Sequence, residues 1–178
     1  ETNKMSILCT ICARGNSKGL KNKNIKNLNG KPLIFYTIDQ AIKSKIFDKI
    51  VVSTDSEKIR NLAVKFGAIS ISLRSKSLAN DIAPKINVIK NLHNESEVYF
   101  NKNFEYIVDL DVTSPLRNVN DIRLSYKSFI KNKSDNLFSV SNALRGAGLA
   151  MQIGSRVQAR KYQSQQSSLM RQATATQN

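Results

Sequence analysis

A polar, basic loop near the start of the chain carries the residue types that bind a polyphosphate. It consists of Arg14, Gly15, Asn16, Ser17, Lys18 and Gly19. The glycines allow a turn whose backbone amides face an anion, and the basic and hydroxyl side chains add charge and a donor. Lys23 and Asn24 could reach the same anion. The loop lacks both common nucleotide-binding glycine patterns, so the alternative is a flexible basic loop without a ligand.

A second polar segment, Asp109–Arg117, holds two carboxylates two residues apart. Alternate side chains of an extended chain share a face, so Asp109 and Asp111 are expected to point the same way. Asp111 follows an apolar run, where a carboxylate could hold a divalent cation that bridges phosphate oxygens. The alternative is a turn in which Asp111, Thr113 or Ser114 serves only as a cap.

Apolar runs alternate with amphipathic segments, and this alternation predicts an α/β sandwich with a mainly parallel sheet. The predicted strands are Ser6–Ala13, Lys49–Ser53, Ala68–Leu73, Tyr106–Leu110 and Asn136–Ser141. The predicted helices are a segment that Pro32 opens, Glu57–Phe66, Lys85–Phe100 and Val119–Lys131. Asp55 or Ser56 is expected to cap the second helix. Such folds bind ligands at the carboxyl ends of their strands, so loops 14–24, 74–84 and 111–118 should converge on one site.

The formal charge of the 178-residue chain is +15, which suggests an anionic partner. Most basic residues are scattered lysines, typical of a solvated surface, and one cluster spans residues 18–31. The chain has no Trp, and no aromatic residue lies between Cys12 and Phe35. Bases of a nucleic acid would therefore find no stacking platform beside the cluster, and nucleic acid is not an expected partner.

The apolar runs are too short for a membrane span of roughly 18 residues, so no membrane partner is expected. No secretory leader opens the sequence, which predicts a cytoplasmic protein. Cys9 and Cys12 lie three residues apart in an apolar run and have no neighbouring ligands for zinc. We expect them to be buried strand cysteines.

The composition changes near residue 143. Residues 144–178 hold five Lys or Arg and no Asp or Glu, and they are rich in Gln where the preceding part is rich in Asn. This break predicts one domain over residues 1–143 and a weakly ordered tail over 144–178.

Taken together, the motifs resemble those of the sugar-acid cytidylyltransferases, the CMP-N-acetylneuraminate synthetases and their relatives. The resemblance runs from Ile7 to about Ala143 and rests on the joint order of several segments. They are Cys12–Leu20, Lys23-Asn24, Asn29–Leu33, Val52–Asp55, Leu73-Arg74, Leu78–Asp81 and Thr113–Arg117. The form Asp-Leu-Asp-Val-Thr-Ser-Pro-Leu-Arg at 109–117 is similar to the bacterial flagellin-glycosylation branch, whose sugars include legionaminic acid.

The resemblance implies a three-layer, Rossmann-like nucleotide-diphospho-sugar transferase fold and a role for each motif. Arg14 and the Gly15–Gly19 loop would hold the triphosphate of CTP, and Lys23 and Asn24 would contact the phosphates at the reacting end. Arg74, with Asp81 and the backbone before it, would seat the cytidine. Asp111, where many members have Gln, would bind Mg²⁺, contact the sugar acid, or both in turn.

The implied reaction is transfer of CMP from CTP to the anomeric hydroxyl of a nine-carbon 2-keto sugar acid, with release of pyrophosphate. In the family, the part of the chain after the strand at 136–141 supplies the dimer contact, part of the sugar pocket and an acidic pair for metal. Residues 144–178 do not match that part, so we expect weak CTP binding and poor or absent turnover. Members of the family form homodimers, and we do not extend that expectation to this chain because residues 144–178 do not match the dimer segment.

Two alternatives remain at this level. One is a nucleotidyltransferase for another sugar phosphate, which would prefer GTP or UTP. The other is a basic nucleic-acid-binding module, which would bind with a steep dependence on salt.

Overall fold

The computed structural model describes residues 5–15, 22–75 and 85–132 in full, and the backbone of short strands beyond them. The described strands are β1 (Ile7–Cys12), β2 (Asn27–Leu28), β3 (Lys31–Pro32), β4 (Lys49–Ser53), β5 (Tyr106–Leu110), β6 (Asn136–Phe138), β7 (Ser141–Asn142), β8 (Gln152–Ile153) and β9 (Val157–Lys161). The described helices are α1 (Leu33–Ser44), α2 (Glu57–Lys65), α3 (Lys85–Phe100) and α4 (Val119–Lys131), and Lys23–Ile25 form a 3₁₀ turn.

The central sheet has the strand order β4-β1-β5-β9-β6. β4 and β5 flank β1 and are both parallel to it. β9 is antiparallel to β5 and to β6, so β6 runs in the direction of β5. The predicted mainly parallel sheet is therefore confirmed, with β9 as the strand that runs against the others.

Helices cover both faces of the sheet because β1 is apolar on both sides. Alternate residues of β1, such as Cys9 and Ile11, lie in a core cluster with Ile38 of α1 and Phe129 of α4. Leu8, which points to the opposite face, packs with Leu92 of α3. The molecule thus has the expected three layers. Both cysteines lie in β1 as predicted, but only Cys9 is buried, since Cys12 at the end of the strand is partly exposed.

The predicted strand Ala68–Leu73 forms only two isolated bridges to β4, Val51 to Ile69 and Thr54 to Leu73. From Ile69 to Leu73 the segment advances by four residues, whereas β4 advances by three from Val51 to Thr54. One residue of the segment therefore has no partner, and a regular ladder of hydrogen bonds cannot form. The segment still runs beside β4 and delivers Arg74 to its end. The last predicted strand, Asn136–Ser141, is likewise shorter, since β6 ends at Phe138.

β8 and β9 lie within the stretch 144–178 that we predicted as a tail, and β9 enters the central sheet between β5 and β6. The placement of a domain boundary at residue 143 stays a prediction.

A complete capping box begins α4. The backbone N–H of Asp121 donates to Asn118 Oδ1 at 3.0 Å, and the backbone N–H of Asn118 donates to Asp121 Oδ2 at 2.8 Å. We expect Asn118→Ala to lower the free energy of unfolding by about 1 kcal/mol because the backbone N–H of Asp121 loses its hydrogen-bond acceptor. Urea denaturation measures this loss.

Asn120→Ala is the matched control, since Asn120 is exposed in the first turn of the same helix. Its free energy of unfolding should stay within about 0.5 kcal/mol of the wild type. An equal loss in both variants would show that the capping contacts contribute nothing specific.

Candidate functional site

The carboxyl ends of β1, β4 and β5 lie side by side at one edge of the sheet. Cys12 is in register with Ser53, and the N–H of Ala13 extends this pairing by donating to the Ser53 carbonyl at 2.9 Å. On the other side of β1, Thr10 is in register with Asp109 and donates to its Oδ1 at 3.0 Å. The loops that leave these three strands therefore start from one edge. The convergence of loops 14–24, 74–84 and 111–118 stays a prediction, because residues 16–21 and 76–84 lie outside the described residues.

Asp55 fixes the first turn of the basic loop. Its Oδ1 accepts a hydrogen bond of 2.7 Å from the backbone N–H of Gly15. A Cβ on Gly15 would lie only 3.0 Å from the Cβ of Ser56, so a larger residue would force the turn to move. The prediction that Asp55 or Ser56 caps α2 is wrong for the side chains, because the Ser56 side chain makes no capping hydrogen bond and the Asp55 carboxylate contacts the loop instead.

The 3₁₀ turn holds the start of the same loop. The side-chain amide of Asn24 is buried and donates to the Arg14 carbonyl at 2.9 Å. The turn follows Asn22, whose φ of 57° is left-handed, a conformation that Asn tolerates better than most residues. Lys23 is the first residue of this turn and directly precedes Asn24. The loop residues Asn16, Ser17, Lys18 and Gly19 lie outside the described residues.

Arg74 folds back over the end of β4. Its Nε donates to Ser53 Oγ at 3.0 Å and its Nη2 to the Ser53 carbonyl at 2.7 Å. The backbone N–H of Arg74 also donates to the Thr54 carbonyl at 2.7 Å. Arg74 is thus half-buried and fixed at the strand edge rather than a solvated surface residue. Asp81, the other predicted cytidine contact, lies outside the described residues.

Lys85 joins the two carboxylates of the second polar segment. Its Nζ lies 2.5 Å from Asp109 Oδ2 and also contacts Asp111 Oδ1. The prediction that Asp109 and Asp111 share a face is therefore confirmed. Sequence reasoning did not select Lys85, which is the first residue of α3 and is separated from both partners by more than 20 residues.

Local electrostatics keep both Lys85 and Cys12 protonated. Burial alone lowers the pKa of Lys85, but the charges of Asp109 and Asp111 outweigh burial and raise this pKa above its usual range. Burial, and then the charge of Asp109, raises the pKa of the Cys12 thiol, while Lys85 and Arg74 oppose the rise. Cys12 is therefore a neutral thiol and a poor nucleophile.

Arg117 holds the loop that carries Asp111. It is buried, and its Nη2 donates to the Asp111 carbonyl at 3.0 Å. Its Nε donates to Gln40 Oε1 at 3.3 Å, and the Gln40 amide donates to the Pro115 carbonyl at 3.0 Å. The loop after β5 is thus tied to α1 by a polar network, which the motif at 113–117 did not by itself reveal.

The donors available for a divalent cation are few. Among residues 5–15, 22–75 and 85–132, no group of three or more His, Cys, Asp or Glu side chains could hold a metal. Asp109 and Asp111 do offer a carboxylate pair, and Mg²⁺ is commonly held by one or two carboxylates together with substrate phosphates. The pair therefore fits a Mg²⁺ ion that is also bound by the phosphates of a nucleotide, provided that Lys85 moves away from the two carboxylates.

The described helices include none that is long and apolar enough to cross a bilayer.

Comparison with known proteins places this arrangement in a family. The family model described as cytidylyltransferase matches residues 8–175. The chain belongs to the cytidylyltransferase family. Its match extends past residue 143 and includes β9.

Two curated relatives of this cytidylyltransferase chain come from Campylobacter. The post-translational flagellin modification protein B of Campylobacter coli is 47% identical over 139 residues, which cover 78% of this chain and 59% of that protein. The CMP-N,N'-diacetyllegionaminic acid synthase of Campylobacter jejuni is 49% identical over 109 residues, which cover 61% of this chain and 46% of that protein. The chain thus spans about half the length of these relatives.

A solved structure shares the fold of this cytidylyltransferase chain. It is a CMP:2-keto-3-deoxy-manno-octonic acid synthetase complexed with CTP, with a TM-score of 0.64 and 16% identity over 93% of this chain and 78% of that one. At this identity the likeness supports the fold alone. It agrees with the three-layer, Rossmann-like architecture described above.

Proposed function

We propose that this chain binds CTP at the carboxyl ends of β1, β4 and β5 and transfers CMP to the anomeric hydroxyl of a nine-carbon 2-keto sugar acid. The observation that carries the proposal is the family match over residues 8–175, joined to relatives near 48% identity, one of which is named as a CMP-legionaminic acid synthase. The strand-end geometry is compatible with it, because basic side chains and an open glycine turn lie where α/β folds bind nucleotides.

In the proposed reaction the anomeric oxygen forms a bond to the α-phosphorus of CTP. The bond from that phosphorus to the bridging oxygen of the β-phosphate breaks, pyrophosphate leaves, and the hydroxyl proton passes to solvent. Protein side chains form no covalent bond in this scheme, so positioning and charge neutralisation account for the rate.

The residues at this edge of the sheet have different roles in the proposed reaction. Asn24 contacts the Arg14 carbonyl, and Arg14, Lys23 and Asn24 would contact the phosphates, with the amide of Gly15 held by Asp55. Arg74 would seat the cytidine from the end of β4. Asp111 would hold Mg²⁺, which when bound offsets negative charge on the phosphates.

The test is formation of a CMP-sugar. The chain is incubated with CTP, Mg²⁺ and a legionaminic, pseudaminic or N-acetylneuraminic acid, and the product is identified by mass spectrometry alongside pyrophosphate release. We expect CMP-sugar with CTP only, at a rate well below that of a full-length relative. A sugar nucleotide formed from GTP or UTP would favour the alternative nucleotidyltransferase, and salt-sensitive nucleic-acid binding without any CTP binding would favour the binding module.

Loss of the Asp55 contact provides a more local test. We expect Asp55→Ala to weaken CTP binding about fivefold, because one partly buried hydrogen bond of about 1 kcal/mol no longer fixes the turn at Gly15. Isothermal titration calorimetry with CTP and Mg²⁺ measures this change.

Asp39→Ala is the control of equal charge change, since Asp39 pairs with Lys43 on the surface of α1. Its CTP affinity should equal that of the wild type. Equal weakening in both variants would show that overall charge, rather than the turn at Gly15, sets the affinity.

A further inference from the structure

Lys85 occupies an unusual position for a surface-accessible lysine. Its ammonium contacts one carboxylate that is nearly fully buried, Asp109, and one that is partly exposed, Asp111. The exposed fractions of the side chains are 3% for Asp109, 26% for Asp111 and 38% for Lys85. The ammonium thus reaches a buried charge from a side chain that is still in contact with solvent.

A buried carboxylate needs a counter-charge. Asp109 also accepts a hydrogen bond from Thr10, but a hydroxyl does not neutralise it, and an uncompensated buried charge costs several kcal/mol. Lys85 supplies the positive charge that the pair requires. Because it is half-exposed, it can leave without disturbing the apolar core.

The same place suits a divalent cation. The two carboxylates lie on one face of β5 and just beyond its end, and their oxygens converge on a single nitrogen. An ammonium and a divalent cation cannot both fill that position, since like charges at contact distance repel strongly. If the cation enters, the ammonium needs a new anion, and the proposed complex supplies one in the triphosphate.

We propose that Lys85 is a displaceable counter-ion: it holds the divalent-cation position between Asp109 and Asp111 in the nucleotide-free protein and moves to the phosphates when nucleotide and cation bind together. The second half of this statement rests on the proposed function. The first half concerns only residues of this chain and stands by itself. The exchange would make cation binding depend on nucleotide binding, so that the free protein binds divalent cations weakly.

The test of the first half is Mn²⁺ binding without nucleotide, followed by the electron paramagnetic resonance signal of free Mn²⁺. Lys85→Met removes the ammonium, and we expect it to tighten Mn²⁺ binding by about tenfold or more. Lys90→Met removes an exposed lysine of the same helix and should leave the affinity unchanged. An affinity of Lys85→Met equal to or weaker than that of the wild type would overturn the proposal.

Lys85→Arg covers the case in which Lys85→Met does not fold. A guanidinium binds two carboxylates more tightly than an ammonium does. Mn²⁺ should therefore displace it less readily, and this variant should bind Mn²⁺ more weakly than the wild type. An affinity equal to or tighter than the wild type would contradict the counter-ion role.

The test of the second half is CTP binding by calorimetry in the presence of saturating Mg²⁺. We expect Lys85→Met to bind CTP about tenfold more weakly than the wild type or Lys90→Met, because the phosphates lose one cation. Unchanged CTP affinity would overturn the transfer to phosphate while leaving the Mn²⁺ result to stand. If the wild type binds no CTP at all, the proposed function fails, and the Mn²⁺ titration still decides whether Lys85 holds the cation position.

Discussion

Replacement of Arg14 with alanine is expected to weaken CTP binding by about 10- to 100-fold. Arg14 is half-buried, directly follows the end of β1, and has its backbone carbonyl held by Asn24. The backbone of Arg14 is therefore fixed at the strand end before any nucleotide arrives. A hydrogen bond between a guanidinium and a phosphate is worth about 1.5–3 kcal/mol, which corresponds to this range of affinity.

The measurement is calorimetric titration with CTP and Mg²⁺, and Arg60→Ala is the control. Arg60 lies on α2, where it pairs with Glu57 at 3.5 Å on the surface. Its replacement removes the same charge at a distance from the strand edge and should leave CTP affinity within about twofold. Similar losses in the two variants, or none in Arg14→Ala, would remove Arg14 from the phosphate site.

Replacement of Arg117 with alanine is expected to lower the free energy of unfolding by about 3 kcal/mol. Arg117 is buried, with 3% of its surface exposed. Its loss deprives Gln40 and the Asp111 carbonyl of buried partners and leaves a cavity beneath the loop. Breaking a buried polar network is among the few mechanisms that produce losses of this size.

Arg123→Ala is the matched comparison because Arg123 also bridges to α1. It donates to the carbonyls of Ser44 and Lys43, both at 3.0 Å, from a half-exposed position. We expect its replacement to cost about 1 kcal/mol in chemical denaturation, since water can satisfy the freed groups. Equal losses would mean that burial of Arg117 adds nothing beyond its hydrogen bonds.

β1, β4, β5 and the four described helices follow from local pattern, because these strands are apolar runs and each of these helices has one apolar face. β9 does not, since Val157–Lys161 is mostly polar and lies in the predicted tail. β4, β5, α3 and α4 begin and end at the predicted residues. The exception at Ala68–Leu73 has a physical cause, since a one-residue mismatch against β4 is a property of the pairing and not of either segment alone.

Candidate site residues could be predicted from the sequence where their role follows from one segment alone. The basic loop and Asp111 could be selected from residue type and position after a strand, whereas Arg74 was selected only through the family resemblance. Lys85 could not, because a lysine that begins a helix looks like any surface residue until the fold brings it to Asp109. Asp55 was misread for the same reason: its place before α2 suggested a helix cap, while its partner, Gly15, lies 40 residues earlier.

The most direct measurement is a calorimetric comparison of CTP, UTP, GTP and ATP binding to the wild-type chain in the presence of Mg²⁺. We expect CTP to bind and each of the other three to bind at least about tenfold more weakly, because a site built for the polar edge of cytosine leaves groups unpaired with another base. Equal or tighter binding of UTP or GTP, or no binding of any of the four, would contradict the assignment of a cytidine triphosphate site to this strand edge.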